Sequence, residues 1–190
     1  MRLFVALDIP ESVRENLAAI RNDLSSGDSQ VRWVPRQNFH VTLKFIGSVP
    51  QEKLEPIIGA LRSVSILDTV QVRIRGLGWY NHSKTGVMLW AIIEDSKPLA
   101  ALAASIDSRL ASMGFAPENR SFMPHLTLAR GSRNIPQSSQ RALREMADKY
   151  KNHDFGSATP EEFHLMESKT LPSGPIYSKV QSFPLAAAGN

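Results

Sequence analysis

Cysteine is absent from the 190 residues. A disulfide framework, a thiolate nucleophile and a thiolate zinc site are therefore excluded, and a reducing, cytoplasmic setting is the expectation. Long apolar runs are missing as well. No stretch reaches the roughly 20 apolar residues of a membrane span. The opening run from Leu3 to Leu7 is broken by Asp8 and Pro10, too short for the core of a signal peptide. A soluble protein with no membrane partner is expected. Acid is scarce in two places. Residues 29–51 hold no Asp or Glu but carry Arg32, Arg36 and Lys44; residues 119–144 hold none but carry Arg120, Arg130, Arg133, Arg141 and Arg144. Each gap alone says little. Together they mark places where positive potential favours an anionic ligand, phosphate or nucleic acid.

What is present is ordinary globular material, 42% hydrophobic and 21% charged, with 22 Lys and Arg against 18 Asp and Glu. A chain of this length buries roughly 70% of the surface its unfolded form exposes, enough for one domain or two small lobes sharing a core. Residues 2–8 read as a strand. Asp8, with Glu11 three residues on, reads as a capping box opening a helix, whose buried stripe is Val13, Leu17, Ile20 and Leu24. Residues 39–46 read as a strand. Ser48 and Gln51 form a second capping pattern before a helix carrying Leu54, Ile57, Ile58 and Leu61. Strands at about 70–77 and 86–94 flank a polar turn at 81–86. Leu99, Leu102, Ile106, Leu110 and Met113 mark a helix ended by Gly114. A strand at 124–129, a polar helix at 137–149 and strands at 161–167 and 176–182 follow, with a turn at 172–175 and a small-residue tail at 186–189. Hairpin-joined strands mixed with helices give an α+β class with antiparallel sheet.

One short pattern occurs twice. Phe39-His40-Val41-Thr42-Leu43 and Pro124-His125-Leu126-Thr127-Leu128 are both His-apolar-Thr-Leu, 85 residues apart. Side chains on a strand alternate in direction. His40 and Thr42 thus share one face while Val41 and Leu43 enter a core, and the same holds for His125 and Thr127. Brought together, the two strands present two imidazoles and two hydroxyls to one cleft. Imidazole is the side chain matched to proton transfer near neutrality. Opening a phosphodiester requires a proton taken from water and another given to the departing alkoxide, and each transfer is typically worth about 10²–10⁴-fold. The threonine hydroxyls can bond the non-bridging oxygens where charge builds up. A single His-x-Thr segment is common; its duplication in acid-poor surroundings is not. Hydroxyls are poor metal ligands and neither motif has a second His or a carboxylate at i+2 or i+4, so no metal and no cofactor are expected.

The sequence resembles the 2H phosphoesterase superfamily and, within it, the RNA 2′,3′-cyclic phosphodiesterases once described as 2′-5′ RNA ligases. RLFVALD at 2–8, RWV at 32–34, FHVTLKFIG at 39–47, PHLTLAR at 124–130, SGPIY at 173–177 and FPL at 183–185 carry the resemblance. It implies one 2H domain over 1–190, a bilobal α+β fold whose two pseudo-symmetric, interleaved lobes of antiparallel sheet have helices outside and a central cleft. The implied reaction is metal-independent hydrolysis of RNA 2′,3′-cyclic phosphate termini to a 2′-phosphate, with His40 as proton donor and His125 as proton acceptor. Thr42, Thr127 and Arg130 hold the phosphate in that reading. The implied partners are RNA with cyclic-phosphate ends, tRNA fragments among them, and small cyclic nucleotides, met by a monomer. Two rivals stand beside it: 2′-5′ ligation as the reverse reaction, and noncatalytic binding of RNA cyclic-phosphate ends. Binding alone needs cations more than a titrating pair.

Phe45 and Arg130 each lie five residues after a motif histidine. In the pseudo-repeat they become a base-stacking platform and a phosphate clamp. Strict alternation instead puts both on the core face, and they reach the cleft only if each strand ends or bulges, which Gly47 and Gly131 permit. For Phe45, core and stacking roles both stay open; for Arg130, unpaired burial is costly. Alternation points Lys44 with His40 and Thr42. His82, His153 and His164 read as structural or solvent-exposed, Trp33, Trp79 and Trp90 as core or lobe interface, and Met88 and Met113 as packing. Arg32 and Arg36 are candidate phosphate contacts, and Tyr177 a candidate cleft residue.

Overall fold

A computed structural model describes residues 1–23, 31–65, 68–82, 86–94, 96–172 and 174–185. Leu24, residues 83–85 of the turn at 81–86, residue 173 of the turn at 172–175 and the tail at 186–189 lie outside the described residues. Among the described residues nine strands form two antiparallel sheets. In the first, the order is β3 (Val41–Ser48), β1 (Arg2–Leu7), β8 (Glu162–Leu171), β9 (Gly174–Pro184). In the second it is β2 (Val31–Trp33), β6 (His125–Gly131), β5 (Gly86–Ile93), β4 (Val72–His82), β7 (Asp154–Ala158). The α+β antiparallel architecture is the one expected.

The helices α1 (Glu11–Ala19), α2 (Leu54–Arg62), α3 (Lys97–Ala111) and α4 (Gln137–Lys149) cover the sheets. Their packing interleaves the two halves. α1 follows a strand of the first sheet yet packs on β7 of the second, where Asn16 Nδ2 donates to the Phe155 carbonyl at 3.1 Å. α3 follows a strand of the second sheet yet packs on β3 of the first. One apolar core therefore runs beneath both sheets, joining Val13 and Leu17, Ile57 and Leu61, Leu102 and Ile106, and Leu143. Burying each such side chain is worth about 1.5–3 kcal/mol. A small separate cluster of Phe4, Ala6 and Met166, with Tyr177 packed on it, occupies the other face of the first sheet. Among the described residues no helix is long and apolar enough to cross a membrane.

Both expected capping boxes are absent. Pro10 precedes the first turn of α1 and no side chain caps it. Proline's fixed φ and missing N–H suit that position, and Asp8 pairs instead with Arg14 and Lys179. Ser48 is the last residue of β3, opposite Arg2, and Pro50 leads through a 3₁₀ turn at Gln51–Lys53 into α2. The helix at 137–149 and the Gly114 stop, at φ 88°, match the expectation. β2 and β7 carry no sequence signal of their own: one is three residues long and the other has Gly156 at its centre. Partner strands create them.

Candidate active site

The motif strands belong to different sheets and meet. Among the described residues β2 pairs with Ala129–Gly131 and the half of β6 that carries His125 and Thr127 has no strand on that edge. β3, the edge of the first sheet, approaches β6 to within 8 Å, Cα to Cα.

Each motif strand carries a bulge at the same place. In β3, Thr42 lies opposite Ala6 and Lys44 opposite Val5, so Leu43 is the extra residue. In β6, Thr127 lies opposite Trp90 and Ala129 opposite Leu89, so Leu128 is extra. These leucines occupy matching positions of the repeat. A bulge shifts the alternation by one residue. Val41, Leu43 and Lys44 are consequently all buried, as are Leu126, Leu128 and Ala129. Phe45, 66% exposed, and Arg130, also exposed, return to the face of the histidines and threonines. The open question about Phe45 is thereby decided against a core role. The device is the bulged leucine rather than the glycines, although Gly47 follows at φ 89° beside a second register shift.

The same shift overturns the expected direction of Lys44. Its side chain is buried under β3, where Nζ donates to Asp107 Oδ1 of α3 at 2.5 Å and to the Ala116 carbonyl at 2.7 Å. A buried ammonium with two acceptors is satisfied, and it takes no part in the cleft.

The two histidines are held alike. His40 Nδ1 lies 2.7 Å from the Asn38 carbonyl and His125 Nδ1 lies 3.0 Å from the Met123 carbonyl, each acceptor two residues upstream. A carbonyl only accepts, so each Nδ1 carries the proton and each Nε2 is the basic nitrogen of the neutral ring. His40 Nε2 sits 3.1 Å from Thr42 Oγ1. His125 Nε2 has no protein partner among the described residues. Asn38, itself buried, donates through Nδ2 to the Pro175 carbonyl at 2.9 Å and so ties the His40 support to β9. Burial, above all, holds the His40 imidazole below its usual pKa; the Asn38 carbonyl and Asp8 act to raise it, and Arg14 and Arg130 to lower it. The influence of Arg130 on His40 joins the two halves of the site electrostatically. Arg130 also donates to Thr127 Oγ1 at 3.4 Å, and Thr127 Oγ1 donates to Met88 Sδ at 3.7 Å.

Rings wall the His40 side. Phe4 lies 5.0 Å and Tyr177 5.2 Å from the imidazole, centroid to centroid, and Phe45 lies 6.3 Å from Phe4. Sequence reasoning had Tyr177 as a candidate and missed Phe4, which nothing local distinguishes from the core residues Leu3 and Val5. Asp8 has a role other than the cap that its sequence pattern suggests. It lies 2.6 Å from Lys179 Nζ and 3.6 Å from His164 Nε2. His164 is buried with Nδ1 2.9 Å from Ser182 Oγ, a structural histidine as expected. On the His125 side Trp90 stands opposite Thr127, its ring lying across Gly78, where a Cβ would come within 2.5 Å of the indole. Of the two arginine candidates, Arg36 is engaged by Glu11 and Glu15. A cavity of about 510 Å³ between Trp79 and the first turns of α4 lies on the opposite face of the second sheet and holds none of these residues. Among the described residues no three His, Asp or Glu side chains are placed to hold a metal ion.

Comparison with known proteins gives a consistent result. The family described as LigT-like phosphoesterase matches residues 7–89 and 93–177, one motif in each segment. The RNA 2′,3′-cyclic phosphodiesterase of Methanothermobacter thermautotrophicus is 34% identical over 188 residues, 97% of this chain and 99% of its own length. The crystal structure of TT0787 of Thermus thermophilus superposes with a TM-score of 0.79 at 26% identity, covering 100% of both chains. That of E. coli LigT complexed with 3′-AMP gives 0.76 at 25% identity over 97% of each. Two His-x-Thr strands, one per matched segment, on a shared fold: the chain belongs to the LigT-like, two-histidine phosphoesterases.

Proposed function

We propose that the protein hydrolyses RNA 2′,3′-cyclic phosphate termini to 2′-phosphates without a metal, using His40 and His125. The observation that carries this is the matched support of the two imidazoles, each with Nδ1–H fixed on a backbone carbonyl and Nε2 left for chemistry. Water attacks phosphorus while His125 Nε2 takes its proton. The bond from phosphorus to the 3′ oxygen breaks, and His40 Nε2 returns a proton to that oxygen. The products are a 2′-phosphomonoester and a 3′-hydroxyl. Thr42, Thr127 and Arg130 hold the non-bridging oxygens, and Phe45 offers its exposed ring to the terminal base, a contact worth about 1–3 kcal/mol. The relatives named for this activity match along nearly the whole chain. Small 2′,3′-cyclic nucleotides and tRNA fragments carry the same terminal group and belong to the same reading. A monomer suffices, because one chain supplies both histidines, and a cysteine-free sequence suits the cytoplasm.

The test is a short RNA with a 2′,3′-cyclic end, incubated in EDTA, with the final phosphate position determined. The 2′-phosphate is expected. His40→Ala and His125→Ala should each lower turnover by about 10²–10⁴-fold with unchanged circular dichroism. Full activity in either variant refutes the pair, and activity lost to EDTA and restored by zinc refutes the metal-free step.

A further inference from the structure

Arg32 stands directly opposite Arg130 in the pairing of β2 with β6. Directly opposed residues share a sheet face, with Cβ atoms about 4.5–5.5 Å apart. Since the bulge at Leu128 turns Arg130 to the face of His125 and Thr127, Arg32 lies on that face too, on the strand next to the one that carries His125. Both side chains are exposed. Like charges placed opposite one another destabilise a sheet, and neither guanidinium has a carboxylate partner among the described residues. Other cations close to the site are neutralised: Arg14 meets Asp8, and Arg36 meets Glu11 and Glu15. The acid-free stretches 29–51 and 119–144 supply these two neighbouring strands. A standing repulsion beside a phosphate site is relieved by a second anion.

We infer that Arg32 binds the phosphodiester on the 5′ side of the terminal nucleotide, extending the track begun by Arg130 and making the protein favour an RNA strand over a cyclic mononucleotide. This rests on the hydrolytic reading above. A guanidinium is suited to the role because its planar fork matches two phosphate oxygens. A cyclic mononucleotide has one phosphate only, so it cannot reach Arg32.

The experiment compares 2′,3′-cyclic AMP with a cyclic-ended oligoribonucleotide as substrates of the wild type, Arg32→Ala, Arg32→Lys and Arg36→Ala. For the oligonucleotide, Arg32→Ala should raise KM about tenfold with little change in kcat. The slope of its log KM against log salt should fall by about 0.7, one single-strand phosphate contact. Its activity on cyclic AMP should stay at the wild-type level, Arg32→Lys should recover part of the oligonucleotide KM, and Arg36→Ala should behave as wild type. If wild type cleaves both substrates and Arg32→Ala changes both equally or neither, the Arg32 assignment is wrong while the hydrolytic reading stands. If wild type cleaves neither, the hydrolytic reading itself fails and the assignment with it.

Discussion

His40 and His125 each commit one ring nitrogen to a carbonyl two residues upstream, yet their surroundings differ. Phe4 and Tyr177 close over His40, and burial lowers its pKa. In the free protein His40 is therefore neutral at pH 7 and poised to accept a proton. Donating one to the 3′ oxygen requires that it first be charged, which the negative phosphate provides, since an opposite charge within reach favours the imidazolium. NMR titration of the ring nitrogens should accordingly show His40 half-protonated below the usual imidazole value of about 6.5, with the proton on Nδ1. Adding 2′-AMP, whose phosphate stands for the product, should move that midpoint upward. A midpoint that stays low with ligand bound assigns His40 to the acceptor role and His125 to the donor role.

At the scale of an element, the bulge is the feature that makes a strand into half of a site. One extra leucine turns His-x-Thr-Leu-x-Phe and His-x-Thr-Leu-x-Arg from two faces into one: imidazole, hydroxyl and a third side chain point together. In β3 it also sends Lys44 inward to Asp107, where it fastens α3 to the motif strand. Lys44→Met keeps the aliphatic packing but strands the Ala116 carbonyl and leaves the Asp107 carboxylate with the Glu118 backbone N–H alone. It should cost about 2 kcal/mol of stability, measured by urea unfolding; a loss within about 0.5 kcal/mol, ordinary for a surface change, would show the pair to be solvated. The period-two alternation of each motif was legible as far as the threonine. Beyond it the reading failed for Lys44 and stayed open for Phe45, because a bulge is created by the partner strand's register and leaves no mark in its own residues.

For the whole molecule, pH couples the site to the fold. Burial lowers the pKa of His40 and, aided by Lys179, of His164. The unfolded chain therefore binds protons at these positions before the folded one does. The sign follows: stability is unaffected well above pH 6.5 and falls as pH drops below about 6.5 toward the lowered native values. Asp8, Glu162 and Lys179 face His164, and Asp8, Arg14 and Arg130 face His40. The melting temperature should thus be lower at pH 5.5 than at pH 7.5 at fixed ionic strength, and His164→Gln should flatten the dependence. An unchanged or higher melting temperature at pH 5.5 would contradict the burial of both rings.

The residue inventory alone determined the chemistry: two imidazoles, two hydroxyls and acid-poor flanks, with a strand period that sorts each His and Thr from its aliphatic neighbours. It also determined the α+β class and the helix at 137–149, since hydrophobic periodicity is a local property. Only the tertiary structure decided where each cation points. Arg32, Arg36, Lys44 and Arg130 look alike along the chain. One stands opposite another on a shared face, one is held by two glutamates and one is buried on an aspartate. Those outcomes depend on register and on partners 21 to 98 residues away, which no local pattern encodes.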